Sequence, residues 1–542
     1  MQSKNIKKTV VLLTEFIFVF LMIFGIFPLE AGLFLAAILI FYFIFSPTED
    51  SVWVFVASLP LFTILAWQDK TVTSWRVLLT IIFFVWLFQK IKAYYKENSP
   101  QFGPYNFFKS HFSKLKSFFS EPFIGLSLVF LIIGFLSLIN ANHLFFGIKK
   151  LLFLINTFFL FVLIRSLIIK NRKFLLKIIQ TVRISVIFIL GIGFIQLFFV
   201  FLAPLHTFWK FWASKIIPVF YGEALGSLLS TSNTWFSYYA SQPPTLRMFS
   251  VFPDSHSFAL FCVLSLPFFL TPIFLRPAKP KKTRVLLYSI LIIILLAIIF
   301  SGSRGIWVSA LGSLIIFLAL ILIYFSPTIK SKTGFFLPSD KNKWWHQIKL
   351  IIGSLMIFFL LFPISSGIFF LSQKAQTDGS FEPSGGVFER AKSITDTEEI
   401  SAKSRLQIWR RTIDSILEKP VLGVGVGNYP VVLKEKIEKA EEGSSAHNLY
   451  LDIFSEVGIF GFLVFIIIFL IIFKDAWNLF LKGKKNFYKV WSGFFVFALI
   501  WLLSYSLFDV VLLNDKVLLF FMLNLGILYA IKYQNSLSQI KD

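Results

Sequence analysis

Apolar runs of roughly 18 residues or more recur along the whole of this 542-residue chain. A helical run of that length matches the ~30 Å hydrocarbon layer of a bilayer. In lipid every backbone N–H and C=O must be satisfied inside a helix or a closed barrel. A barrel needs short alternating strands separated by turns, and no such pattern is seen. The chain therefore reads as all-α, a polytopic helical membrane protein. Its 57% hydrophobic content and mean hydropathy of +0.78 exceed the ~45–50% apolar usage of soluble domains.

The charges order these runs. A net charge of +24 in a soluble protein would point to nucleic acid. Here Lys and Arg cluster in short connections between apolar runs, as the positive-inside rule expects, so no nucleic-acid partner is implied. Fourteen spans (12–14 if short early ones pair) place every strongly basic connection on one side. They are Thr9–Phe27, Ala31–Ser46, Ser51–Trp67, Val77–Phe88, Glu121–Ile139, Leu151–Ile169, Val186–Leu202, Ser257–Leu275, Val285–Phe300, Ile306–Phe325, Leu350–Leu371, Ile453–Phe473, Trp491–Val511 and Val517–Ile531. Both termini fall in the cytoplasm, and the first run, long and without a clear cleavage site, reads as a retained helix. Four regions follow: N-terminal helices 1–185, central helices 186–371, a large extracytoplasmic loop 372–452 between the eleventh and twelfth spans, and C-terminal helices 453–542. That loop holds about a dozen of the 28 acidic residues. Its first part, Ser372 to Glu399, is rich in Ser, Gly, Asp and Glu and reads as mobile. A second outer loop is expected from Pro204 to Asp254.

The large loop carries the most chemically capable residues. Ser401 or Ser404 can cap a helix running to Glu418, with Leu406, Trp409, Ile413 and Leu417 on one face. Arg405 and Trp409 are four apart and share a face. Pro420 ends that helix, and Pro430 to Gly443 reads as a second short one. Between them Gly423, Gly425 and Gly427 alternate. Without a preceding strand and a following long helix they are no dinucleotide motif; a tight turn with backbone close to another segment or a ligand fits better. His447, at the mouth of the next span, is the one ring in the loop able to carry a proton near neutral pH. Asn448 and Ser444 or Ser445 can orient it, and Glu456 follows within the next helix.

Two further arginines sit at outer ends of spans. Arg304 lies in S-G-S-R-G, where a helix start at Gly305 also favours an anion. Its planar guanidinium can hold two phosphate oxygens. Arg247 lies in R-M-F-S-V-F-P-D, with Asp254 and His256 close by. The blander readings are headgroup contacts for the arginines and a hydrogen-bonded interfacial ring for His256. Arg410 and Arg411 read as a solvated face. There is no D-x-D, no H-E-x-x-H and one cysteine, Cys262, so no metal site and no cofactor is expected.

Taken together and in this order, R-M-F-S-V-F-P-D, S-G-S-R-G, S-R-L-Q-I-W with P-V-L-G-V-G-V-G-N-Y, and A-H-N-L-Y-L with G-I-F-G resemble the O-antigen ligase and O-antigen polymerase family. The resemblance covers roughly Arg247 to Phe473. The family often has Pro-Asn where this chain has Ser255 and His256. It implies a metal-independent glycosyltransferase of the bacterial inner membrane. The donor would be a glycan on a polyprenyl-pyrophosphate carrier, and the acceptor a lipid A core, another lipid-linked glycan or another hydroxyl. Arg304, Arg405 and Arg247 would hold the pyrophosphate, and His447 would serve the acceptor hydroxyl. Trp409, the three glycines, Asn448 and Glu456 would position substrate or loop. The motifs leave ligase and polymerase open. A transporter for the same lipid would be expected to show mid-span charges and repeated halves. The deep charges are few, Glu15 and Asp509, and no repeat is apparent.

Overall fold

A computed structural model describes residues 2–67, 70–97, 121–231, 235–239, 242–275, 281–325, 341–376, 400–433 and 445–540. Helices dominate. Ten among the described residues are long and apolar enough to cross a membrane, and Ala31–Phe45 and Val285–Phe300 are shorter apolar helices. The first part of the chain contains α1 (Gln2–Ile23), α2 (Ala31–Phe45), α3 (Thr48–Ala57), α4 (Ser74–Glu97), α5 (Pro122–Ser137), α6 (Leu144–Lys170) and α7 (Arg172–Phe199). Next come the short α8 (Leu205–Phe211), α9 (Ile217–Tyr221) and α10 (Glu223–Thr231). The remainder holds α11 (Ser255–Leu275), α12 (Lys281–Phe300), α13 (Arg304–Phe325), α14 (Lys341–Leu360), α15 (Phe362–Ala375), α16 (Ile400–Glu418), α17 (Leu449–Lys482), α18 (Asn486–Tyr505) and α19 (Asp515–Ile540).

Burial sorts these helices. Along α11, α18 and α19 most residues are buried, whereas the other long helices bury one side and expose the rest. Exposed Phe, Ile and Leu on the outer helices are what a lipid-facing surface requires. Around the central trio, α18 packs against α11, α13 and α17, and α19 packs against α6 and α11. Phe261 of α11 and Phe520 of α19 meet at 4.4 Å between ring centres. Two prolines sit inside α11, Pro267 and Pro272. Pro272 has no N–H for the Phe268 carbonyl, and the Arg183 Nε of α7 donates to that oxygen instead at 2.8 Å.

Several expected spans are built differently. The run Ser51–Trp67 is not one helix. After the ten residues of α3, Pro60 interrupts the chain, and β1 (Ile64–Trp67) pairs antiparallel with β2 (Lys70–Thr73). The expected span Val77–Phe88 is the middle of the longer α4. The run Leu350–Leu371 is split between α14 and α15, where Pro363 follows Leu361 and Phe362. α18 stops at Tyr505, short of Val511. The expected outer loop Pro204–Asp254 is a folded unit. It holds α8 to α10 and a hairpin of β3 (Phe236–Tyr239) with β4 (Gln242–Leu246), in which Phe236 faces Leu246. The segment expected to be mobile falls mostly outside the described residues, as does most of the second loop helix, of which a 3₁₀ turn at Tyr429–Val431 is seen.

One helix is broken on purpose of its sequence. Within α17, Gly458 has φ +67° and ψ −171°. The break frees backbone groups, and the turn after α16 supplies their partners. Val424 N donates to Ser455 O at 2.8 Å, Gly425 N to Glu456 O at 3.0 Å, and Ile459 N to Pro420 O at 2.8 Å. A Cβ on Gly458 would collide with the Val421 carbonyl. Gly458→Ala therefore combines a left-handed backbone cost with forced separation of the turn. We expect a loss of about 2 kcal/mol or more, read as a lower unfolding midpoint in detergent. A midpoint equal to that of the unsubstituted protein would contradict this role.

Candidate active site

The starts of α11 and α17, the α12–α13 turn and the turn after α18 meet at one end of the bundle. Charges that are expensive inside lipid collect here. Asp509, in the turn after α18, lies between two imidazoles. Its Oδ2 is 3.4 Å from His256 Nδ1, and its Oδ1 is 3.9 Å from His447 Nδ1. Tyr505 OH is 2.7 Å from the same His256 nitrogen, and Ser303 Oγ is 3.0 Å from both the ring nitrogen and the tyrosine hydroxyl. Burial alone would raise the Asp509 carboxyl. The His447 and His256 rings beside it overcome that and hold it down at about 2, so it stays ionised.

His447 is held under strain. It has φ +45°, one of two non-glycine residues with positive φ among the described residues. Such a conformation persists only where the surroundings over-determine it. Here they do. Trp409 Nε1 donates to Ala446 O at 2.9 Å, Ala446 N to Asp452 Oδ1 at 3.1 Å, and His447 N to Ser445 Oγ at 3.3 Å. Asn448 caps α17, its Oδ1 accepting from Tyr450 N and Leu451 N. Leu449 N reaches Ser506 O at 2.8 Å, which ties this start to the Asp509 turn. The imidazole itself stays 39% exposed.

The arginines arrive from three elements. Arg247 follows β4, its N bonded to Trp235 O at 2.8 Å and its Nε to Ser237 Oγ at 3.1 Å. Its side chain lies against Gly302, where a Cβ would be 3.0 Å from Arg247 Cγ. Gly302 has φ +65°, and Arg304 begins α13 two residues on. Arg247, Arg405, Asp509 and His447 lie within electrostatic range of the His256 ring, and Arg405 and Asp509 within range of Tyr505. Arg247, Arg304 and Arg405 are each half-buried, whereas Arg410 and Arg411 are exposed. Asp254 does not stand apart from this end either. It accepts from Ser257 N and Oγ at the start of α11, and burial, only partly offset by those bonds, pushes its carboxyl up to about 6.

The other sequence candidates belong to a neighbouring knot. Gly423, Gly425 and Gly427 all have positive φ, and a Cβ on each would run into backbone, that of Glu456, Ala141 and Phe146 respectively. Asn140 Nδ2 donates to Gly423 O at 3.0 Å, and Val426 N to Ser137 Oγ at 3.0 Å. Glu456 pairs with Lys150 of α6 at 2.5 Å, and Asp452 lies 3.9 Å from the same ammonium. The apolar face of α16 is mostly open. Leu406, Ile413 and Leu417 are exposed, while Trp409 is half-buried and Thr412 and Ile416 are buried. The turn and α17 meet α16 on a narrower stripe than its apolar residues suggest. Ser444 lies outside the described residues.

Residues 289–466 match a family model described as O-antigen ligase. This segment is an O-antigen ligase domain. The chain is thus a multi-pass helical membrane protein that carries an O-antigen ligase domain over these residues. No curated protein matches the chain. Within the O-antigen ligase segment fall Arg304, Arg405, Trp409, His447 and Glu456. Arg247, His256, Tyr505 and Asp509 come from outside it, so the site is completed by flanking helices. Sequence reasoning noted Asp509 only as a deep charge and left out Tyr505, Ser303 and Lys150. An acid closing an apolar run, as in Y-S-L-F-D, was the available signal.

Lys150 is the cation beside two buried carboxyl groups beneath the His447 turn. Lys150→Met leaves both without their cation, and we expect a loss of about 3–5 kcal/mol. Thermal unfolding in detergent checks this, and adding Glu456→Gln to the variant should recover part of the loss. An unchanged midpoint in the single variant would contradict it.

Proposed function

We propose that the protein transfers a glycan from a polyprenyl-pyrophosphate carrier to an acceptor hydroxyl at the outer face of the inner membrane. The observation that carries this is Asp509 lying between His256 and His447, with Arg247 packed against the Gly302 turn that leads into Arg304. In this reading the site end of the bundle faces outward and the chain termini lie in the cytoplasm. A lipid donor embedded in the bilayer then presents its pyrophosphate at the depth of these arginines.

The bond from the anomeric carbon to the pyrophosphate oxygen breaks, and one to the acceptor oxygen forms. Arg304, Arg405 and Arg247 stabilise the charge gathering on the departing pyrophosphate, in a site where fixed cations need no reorganisation. His447 takes the acceptor proton, and Asp509 orients the ring and stabilises its charged form, as a carboxylate does in other histidine-dependent transfers. The arginines already supply the positive charge that a metal would bring, so the reaction is metal-independent in this account. A lipid A core is the acceptor we favour; a second lipid-linked glycan, giving a polymerase, uses the same chemistry.

Arg304→Ala should abolish transfer in a reconstituted assay. Arg304→Lys should stay impaired, because an ammonium cannot bind two phosphate oxygens in parallel. His447→Ala should lower kcat by about 10²–10⁴. Full turnover in these variants would sink the assignment. Asp509→Asn should lower kcat by about 10–100-fold. A chelator should leave the rate unchanged.

A further inference from the structure

A cavity of about 440 Å³ opens in the α8–α10 unit, with neither His256 nor His447 in its lining. Its size lies in the ~300–1,000 Å³ range of small-molecule sites. Trp209 and His206 form one wall, and Lys210, Ser214 and Glu223 bring polar groups to the rim. Trp209 is half-buried, and its indole N–H has no hydrogen-bond partner among the described residues.

We propose that this cavity is a carbohydrate subsite that takes sugars of the glycan beyond the one at the reacting bond. The proposal rests on the transferase reading above. Three features favour a sugar. An indole face suits the C–H face of a pyranose while its N–H serves a hydroxyl. Lys210 and Glu223 oppose one another in sign, so the rim suits a neutral polyol better than a phosphate. The cavity is also joined to the arginines by one hairpin. Trp209 packs edge-on against Phe236 of β3 at 5.9 Å. The next residue, Ser237, accepts from Arg247 Nε. A glycan running outward from a pyrophosphate held by Arg247 passes along this hairpin toward Trp209.

The test uses the full-length protein in liposomes with two donors, polyprenyl pyrophosphate carrying one sugar and the same carrier carrying several. Trp209→Ala and Glu223→Gln should each raise KM for the longer donor about tenfold, the size expected for one lost stacking or charge-assisted contact. KM for the one-sugar donor should stay in place. Unchanged KM for both donors, or an equal rise for both, overturns the subsite. Repeating the series with the acceptor's length varied instead distinguishes an acceptor subsite from a donor one. Titration of the free multi-sugar glycan by calorimetry separates the two claims. If no donor is turned over by the unsubstituted protein, the transferase reading fails. Binding weakened in Trp209→Ala would then still support the subsite, and binding equal in both proteins would overturn it.

Discussion

The break in α17 at Gly458 sets the geometry of everything near the site. A helix interrupted in an apolar bundle exposes carbonyl and N–H groups that no water can reach, at a cost of several kcal/mol each unless partners are found. The partners here are the backbone of residues 420–425. That exchange draws a glycine-rich, apolar turn down into the bundle, and α16 comes with it. Trp409 of α16 then reaches the Ala446 carbonyl and helps hold His447 in its strained conformation. The glycines are required at this junction because side chains would block the contact between backbones, and no nucleotide-binding role is needed to explain them.

The second constraint is charge. Carboxylates at Asp452, Glu456 and Asp509 are all buried. Each has a cation or an imidazole beside it: Lys150 for the first two, His256 and His447 for the third. The first pair is shut in beneath the turn and braces it. Asp509 faces an imidazole that remains partly open. Similar groups thus serve two purposes, and exposure of the partner separates bracing from chemistry. The arginines complete the contrast, since each enters from an element anchored elsewhere: the β3–β4 hairpin, the α12–α13 turn and α16.

Much of this was legible in the sequence, for physical reasons. Long apolar runs identify membrane helices because a helix satisfies its own backbone in lipid, and the arginines and His447 were visible because they lie at span ends or in the large loop, apart from the basic connections. The run Ser51–Trp67 misled because an apolar stretch reports burial and not conformation; Pro60 and the β-branched residues after it turned the end into a hairpin. The apolar stripe of α16 is wider than the surface it meets. Asp509 and Lys150 carry their meaning through contacts across more than a hundred residues of chain, with α11 and the α16–α17 region respectively. Periodicity does not encode such pairs.

The central claim is that this end of the bundle breaks a glycan–pyrophosphate bond. The most direct measurement reconstitutes the purified protein in liposomes with a polyprenyl-pyrophosphate glycan and a lipid A core acceptor, and resolves the products by size. The account predicts free polyprenyl pyrophosphate in step with glycan on the acceptor, or a ladder of longer lipid-linked chains if a second donor serves as acceptor. Intact donor moved across the bilayer with no pyrophosphate released would contradict it.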